Sequence, residues 1–179
     1  MGRTDEELML AVASGDLDAF GELVRRHQRS AWNVAWRMLR DPTEAEDAAQ
    51  DAFLKILNAA PRYRPTASFR TYLYRVISRL CLDRLRKKHP IYMDRLPPSV
   101  SEAPGPPEEI GRQETAVDVR RALDTLPARQ RMAVVLRHFE ELSYKEIAEA
   151  MDTSVKSVER LLARGRNELA EALDSRRGK

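Results

Sequence analysis

The sequence predicts an all-α protein of two small helical domains joined by a flexible, proline-rich linker. Three observations carry that expectation. Apolar residues recur at steps of three and four along most of the chain. Capping residues stand at the start of several of those stretches. The pattern breaks over a segment that contains Pro97, Pro98, Pro104, Pro106 and Pro107 and has no periodicity. The expected units are residues 1–89, a linker over 90–112, and residues 113–179. With 179 residues, each half can bury only a modest core, and 42% hydrophobic with 6% aromatic residues suits helices rich in Leu, Ala and Val.

Residues 5–14 read as a short helix with acids in the first turn, where the helix dipole favours them, closed by Gly15-Asp16. Asp16 then caps a longer helix. Its Phe20, Leu23, Val24, Ala31, Trp32, Ala35 and Leu39 form one broad buried face with Trp36 at the edge, and Asp41-Pro42 stops it. Thr43 and Glu46 have capping-box spacing, which opens a helix from Glu44 to about Ala59 with Ala45, Ala49, Ala52, Phe53 and Ile56 inward. Ser68 is the expected N-cap of the next helix, whose apolar stripe is Phe69, Leu73, Val76, Ile77 and Leu80.

Beyond the linker, residues 115–125 carry Val117, Val119, Ala122 and Leu123, and Leu126-Pro127 breaks them off. A helix over 128–139 turns Ala133, Val134 and Leu136 inward. Ser143 and Glu146 form a second capping-box pattern, starting a short helix over 144–151 that buries Ile147 and Ala148. After the turn at Asp152-Thr153, Ser154 caps the last helix, with Val155, Val158, Leu162 and Leu169 inward.

Charge is distributed unevenly. From Arg62 to Lys88 nine cations face the single acid Asp83, on a chain of net charge +3, so the remainder is net acidic. Arg75, Arg79 and Arg86 fall on one stripe of the helix, with Tyr72 between it and the apolar edge. Guanidinium groups beside an aromatic face suit phosphate neutralisation and base stacking; the alternative is a solvated basic face. On the Glu44 helix, Asp47, Gln50 and Asp51 share the outer side with Leu54, and Leu57 sits at its edge. That side is either ordinary surface or a docking face for a basic protein partner.

The last two helices match a helix-turn-helix plan, with Thr153, Ser154, Lys156, Ser157, Glu159, Arg160 and Arg164 exposed at the second helix's start. Arg pairs with guanine, Glu accepts from cytosine, and hydroxyls reach bases or phosphates. A helical hairpin used only for packing is the alternative. No apolar run approaches the roughly 20 residues of a membrane span, and the N-terminus has no signal-peptide pattern, so a cytoplasmic protein is expected. Cys81 reads as a buried thiol. His27, His89 and His138 lack metal-ligand spacing, and neither a phosphate loop nor a nucleophile motif is visible, so no enzyme activity, metal or cofactor is expected.

At this point two long motifs carry a resemblance. GDLDAFGELVRRH, DPTEAEDAAQDAFLKIL and SFRTYLYRVISRLCLDRLR resemble region 2 of bacterial sigma factors of the extracytoplasmic-function (ECF) group, and LPARQRMAVVLRHFEELSYKEIAEAMDTSVKSVERLLARGRNEL resembles their region 4. The resemblance implies a dissociable initiation subunit that binds core RNA polymerase and promoter DNA, with no small-molecule substrate and with a cognate anti-sigma factor as an expected partner. It puts Asp47, Gln50, Asp51 and Leu54 on the surface that grips the clamp coiled coil of the largest polymerase subunit. It makes Arg62 to Ser68, with Tyr63 and Arg64, the loop that captures an extruded −10 base, and sets Tyr72, Arg75 and Arg79 along the melted strand. The helix from Ser154 would read the −35 element. Many relatives read FRGDASF in the capture loop, where this chain carries Pro65-Thr66 in place of the Gly-Asp pair. Arg79 stands where asparagine is common, and Tyr72 where tryptophan is common. The rival readings are a stand-alone helix-turn-helix regulator and an RNA-binding protein.

Overall fold

The computed structural model describes residues 2–88 and 113–177, with side chains over 2–88 and 117–175. The linker expected over 90–112 lies outside the described residues. Every regular element described is helical.

In the N-terminal half, α1 (Asp5–Ala13) begins with a capping box: Glu7 N–H donates to the Thr4 hydroxyl at 3.2 Å, and Thr4 N–H to the Glu7 carboxylate at 2.7 Å. Gly15, at φ 97°, takes the left-handed turn that follows. Asp16 then caps α2 (Leu17–Leu39), accepting from Ala19 N–H at 2.9 Å. The start of α3 (Pro42–Ala59) corrects the expected Thr43–Glu46 box. The cap is Asp41, which accepts from Glu44 N–H at 2.9 Å, and Pro42 takes the first helical position. There its fixed φ suits the helix and its missing N–H leaves no bond unmade, so the helix starts two residues earlier than the box implied. A single 3₁₀ turn, Ala60–Arg62, and an extended loop lead to α4 (Phe69–Lys88). Ser68 caps α4, accepting from Thr71 N–H at 3.1 Å.

In the C-terminal half, α5 (Gln113–Asp124) and α6 (Ala128–His138) flank the Pro127 break. The Ser143–Glu146 capping box forms as expected and starts α7 (Tyr144–Ala150). Asp152, at φ 52°, makes the turn, and Ser154 accepts from Ser157 N–H at 3.1 Å to open α8 (Val155–Arg177). Asp is one of the few residue types that tolerates that backbone region. The crossing of α6 and α8 depends on Gly165, where an added Cβ would stand 2.9 Å from the Val134 Cγ2.

Buried apolar residues of both halves form one continuous cluster. This explains two further corrections. Trp36, expected at the edge, is 1% exposed, because Arg40 lies over its ring at 4.3 Å and the C-terminal half packs on the end of α2; Trp32 is the partly exposed one. On α4, Tyr74 and Ser78 are buried beside the predicted stripe, because this second face meets α6 and α7. Val155, expected inward, is 41% exposed at the mouth of a cleft. Cys81 is fully buried, and burial pushes its thiol up to about 12.

Candidate nucleic-acid interface

Three surfaces carry the chemistry. The first is the outer face of α3. Asp47 and Gln50 are exposed, and Leu54 stands 55% exposed among them. Gln50 Nε2 donates to Glu46 at 3.3 Å, and Asp51 is tied to Arg84 of α4 at 2.6 Å. The face is therefore a preformed acidic rim around one aliphatic residue. It is held in register by an ion pair across the helices.

The second surface is the loop over 62–68 with the first turns of α4. Arg62, Arg64 and Ser68 are exposed, as are Arg75 and Arg79. Tyr72 is half-buried. Tyr63 is only 7% exposed, its ring tilted against that of Tyr72 with centroids 5.5 Å apart, and its hydroxyl is buried with no hydrogen-bond partner. Burial pushes both phenols upward, helped at Tyr63 by the charge of Glu6 and opposed at Tyr72 by Arg75. Tyr63 thus forms the floor of the loop, and Tyr72 its aromatic wall.

The third surface is the start of α8, where Ser154, Lys156, Glu159, Arg160 and Arg164 are exposed and Thr153 and Ser157 partly so. Arg160 donates to Ser157 at 3.2 Å, holding a guanidinium along the helix. The second and third surfaces face one another. A cleft of about 680 Å³ lies between them, lined by Arg62, Arg64, Tyr72 and Arg75 on one side and by Lys145, Thr153 and Val155 on the other. Arg75 and Asp152 meet across it at 3.8 Å, an exposed pair of little energetic weight.

The strong contacts between the halves lie deeper, and they join residues too far apart in sequence for any local pattern to reveal. Tyr74 donates its hydroxyl to the Glu140 carboxylate, and Arg70 donates to the Glu140 carbonyl. Ser78 donates to Met132 Sδ at 3.3 Å. Arg131 reaches back to the Met38 carbonyl at 3.1 Å and the Asp124 carbonyl at 2.9 Å. Asp124, 4% exposed, sits between Arg40 at 3.1 Å and Arg131 at 3.9 Å. Such a set depends on being complete, because removing one charge leaves the others buried without their counter-charge.

Burial dominates the titration of this set. It pushes Tyr74 up to about 12, with the Glu140 charge adding to it. It also raises Asp124 against Arg40 and Arg131, and Glu140 against the Tyr74 bond.

Among the described residues no cluster of His, Cys, Asp or Glu could hold a metal ion, and no helix is long and apolar enough to cross a membrane.

Comparison with known proteins adds the following. Residues 23–90 match the family model described as Sigma-70 region 2, and residues 116–169 the one described as Sigma-70, region 4. The chain is 35% identical over 173 residues to the ECF RNA polymerase sigma factor SigM of Mycobacterium tuberculosis, covering 96% of this chain and 85% of that one. It is 30% identical to SigW of Bacillus subtilis, covering 90% and 92%. Among solved structures it is similar to CnrH in complex with the cytosolic domain of CnrY, at 29% identity and TM-score 0.72 over 96% of this chain and 97% of that one. Its fold also resembles the sigma factor RpoE bound to the anti-sigma factor NepR from Bartonella quintana, at 22% identity and TM-score 0.70 over 87% of this chain and 96% of that one.

Proposed function

The chain belongs to the ECF group of sigma-70 RNA polymerase sigma factors, and from that membership we propose how its surfaces divide the work. It binds core RNA polymerase and directs promoter-specific initiation. In our reading Asp47, Gln50, Asp51 and Leu54 dock on the polymerase, and the loop over 62–68 with Tyr72, Arg75 and Arg79 takes the melted −10 strand. The start of α8 reads the −35 duplex. The unit boundaries at residues 89 and 113 belong to the same proposal, as do a cytoplasmic location and the absence of catalytic activity of its own.

One observation supports this division best: a single chain holds an acidic-aliphatic face, a basic aromatic groove and a capped helix-turn-helix on three separate surfaces. Extruding a base costs a few kcal/mol of lost stacking, so the groove must supply an aromatic wall as well as cations. Tyr72 with Arg75 and Arg79 supplies both.

The packing of the halves implies a step before promoter binding. Successive major-groove faces on one side of a duplex lie about 34 Å apart. With Arg75 only 3.8 Å from Asp152, the −10 and −35 surfaces cannot engage elements two turns apart at once. The halves must separate on the way to the promoter. A partner protein that favours the packed form acts as an anti-sigma factor, and two of the structural neighbours are complexes with another protein.

The test is strand opening. With core polymerase and promoter DNA, the Arg75→Ala, Arg79→Ala double variant is expected to retain −35 duplex binding but lose about tenfold or more in permanganate reactivity of the −10 thymines. Undiminished opening would remove α4 from the melted-strand role.

A further inference from the structure

The amide that starts α4 is not held by its own segment. Phe69 N–H donates to the Glu6 carboxylate at 2.8 Å, across 63 positions of sequence. Ser68 supplies the ordinary cap, bonding Thr71 N–H at 3.1 Å and the Thr71 hydroxyl at 2.9 Å. The first turn of α4 thus has one local acceptor and one brought from α1.

The other end of the loop rests on the same helix, since the 3₁₀ turn Ala60–Arg62 packs against α1. Between these anchors the loop does little to hold itself. Within it Thr66 N–H donates to the Arg64 carbonyl at 2.8 Å and Arg64 to the Tyr63 carbonyl at 3.0 Å, and residues 64–66 are exposed. α1 itself is firmly seated. Asp5 bonds Arg26 at 2.9 Å and His27 at 2.6 Å, while Leu8, Met9 and Val12 are buried. The His27 ring in turn packs on Phe69 with centroids 5.2 Å apart, and Phe69 meets Tyr72 edge-on at 6.5 Å. α1 lies before the stretch that matches the region 2 model, so that match assigns it no role.

We propose that Glu6 is a positioning residue for base capture: its carboxylate fixes the start of α4, and with it the spacing between Tyr72 and the loop that must close on an extruded base. This rests on the reading of residues 62–68 as the capture loop. A charged acceptor at the first turn of a helix bonds strongly and also complements the helix dipole. Its loss lets the loop and the aromatic wall move apart without unfolding either half, because Phe69, Leu73 and Ile77 stay buried.

The test uses holoenzyme and single-stranded −10 oligonucleotides carrying each of the four bases at the captured position. Glu6→Ala is expected to lower affinity for the preferred base about tenfold and to flatten the preference among bases. Glu6→Gln keeps an oxygen acceptor and is expected to restore most of both. Val12→Ala, a core truncation six residues further along the same helix, controls for stability: it lowers the melting temperature but should keep the base preference. Tyr72→Ala tests the loop reading itself and should abolish the preference.

Glu6→Ala retaining the preference within about twofold would overturn the inference. So would a flattening matched by Val12→Ala, or failure of Glu6→Gln to rescue. If Tyr72→Ala leaves the preference intact, the capture-loop reading fails and takes the inference with it.

Discussion

Asp47→Lys is expected to end stoichiometric co-elution of the chain with core RNA polymerase. Asp47 is exposed on the outer face of α3, beside Gln50 and the 55%-exposed Leu54. Reversing one charge at a complementary interface removes an attraction and adds a repulsion, and truncation of well-placed charge pairs alone costs about 2–5 kcal/mol. A loss of at least 100-fold in affinity is therefore expected, read by titration against core enzyme. Asp51 is a less clean probe, because Asp51→Lys would also set a cation against Arg84, its partner at 2.6 Å. Helix content and −35 duplex binding of the Asp47→Lys chain should stay unchanged. Full retention of polymerase binding would remove α3 from the docking role.

The second large effect is expected at the contact between the halves. Asp124→Ala leaves Arg40 and Arg131, 6% and 7% exposed, facing each other without their shared carboxylate. Removing one partner from such a set typically costs about 3–5 kcal/mol, and the loss falls on the contact between the halves. The halves should come apart while their helices persist. A compact chain of this length has a radius of gyration of about 16 Å, and the variant should scatter well above that value at unchanged circular dichroism. Asp124→Asn, which keeps the shape, should fall between. The variant should also bind promoter DNA more readily once polymerase is present, because the opening step is already made. An Asp124→Ala chain as compact as the parent would show that the buried ions do not hold the halves together.

What the sequence could and could not reveal follows from how far apart the interacting residues lie. The Ser143–Glu146 box, the Asp16 cap and the Ser68 cap were legible because each needs only residues three positions apart. The buried Cys81 and the exposed Arg75 and Arg79 followed from helical phase on a single element. Thr43 and Glu46 had the right spacing and lost to a neighbour, since Asp41 before Pro42 is the better start. Trp36 and Tyr74 were missed for another reason. Each is covered by the other half of the chain, which periodicity cannot see: α6 packs on α2 near Trp36, beside Arg40 of its own helix, and Glu140 meets Tyr74. Val155 sits at the N-terminus of α8 where the phase pointed inward, but there the half opens into the cleft.

The same limit applies to the candidate site. Its cations and aromatics were visible as a stripe, whereas the Glu6 contact that anchors Phe69 joins residues 63 positions apart and leaves no local trace. Arg131 is 7% exposed and bonds three carbonyls, one of them that of Met38, 93 positions away in sequence. Tyr63 read as a base contact and sits in the floor of the loop.

Run-off transcription with purified core polymerase tests the central claim most directly, using a promoter recovered by selection from random −10 and −35 sequence and the parent chain beside Asp47→Lys. A discrete transcript that requires the chain, depends on both elements and disappears with Asp47→Lys is expected. Tight binding of the chain to an isolated duplex with no transcript from any selected promoter would contradict it and favour a stand-alone helix-turn-helix regulator.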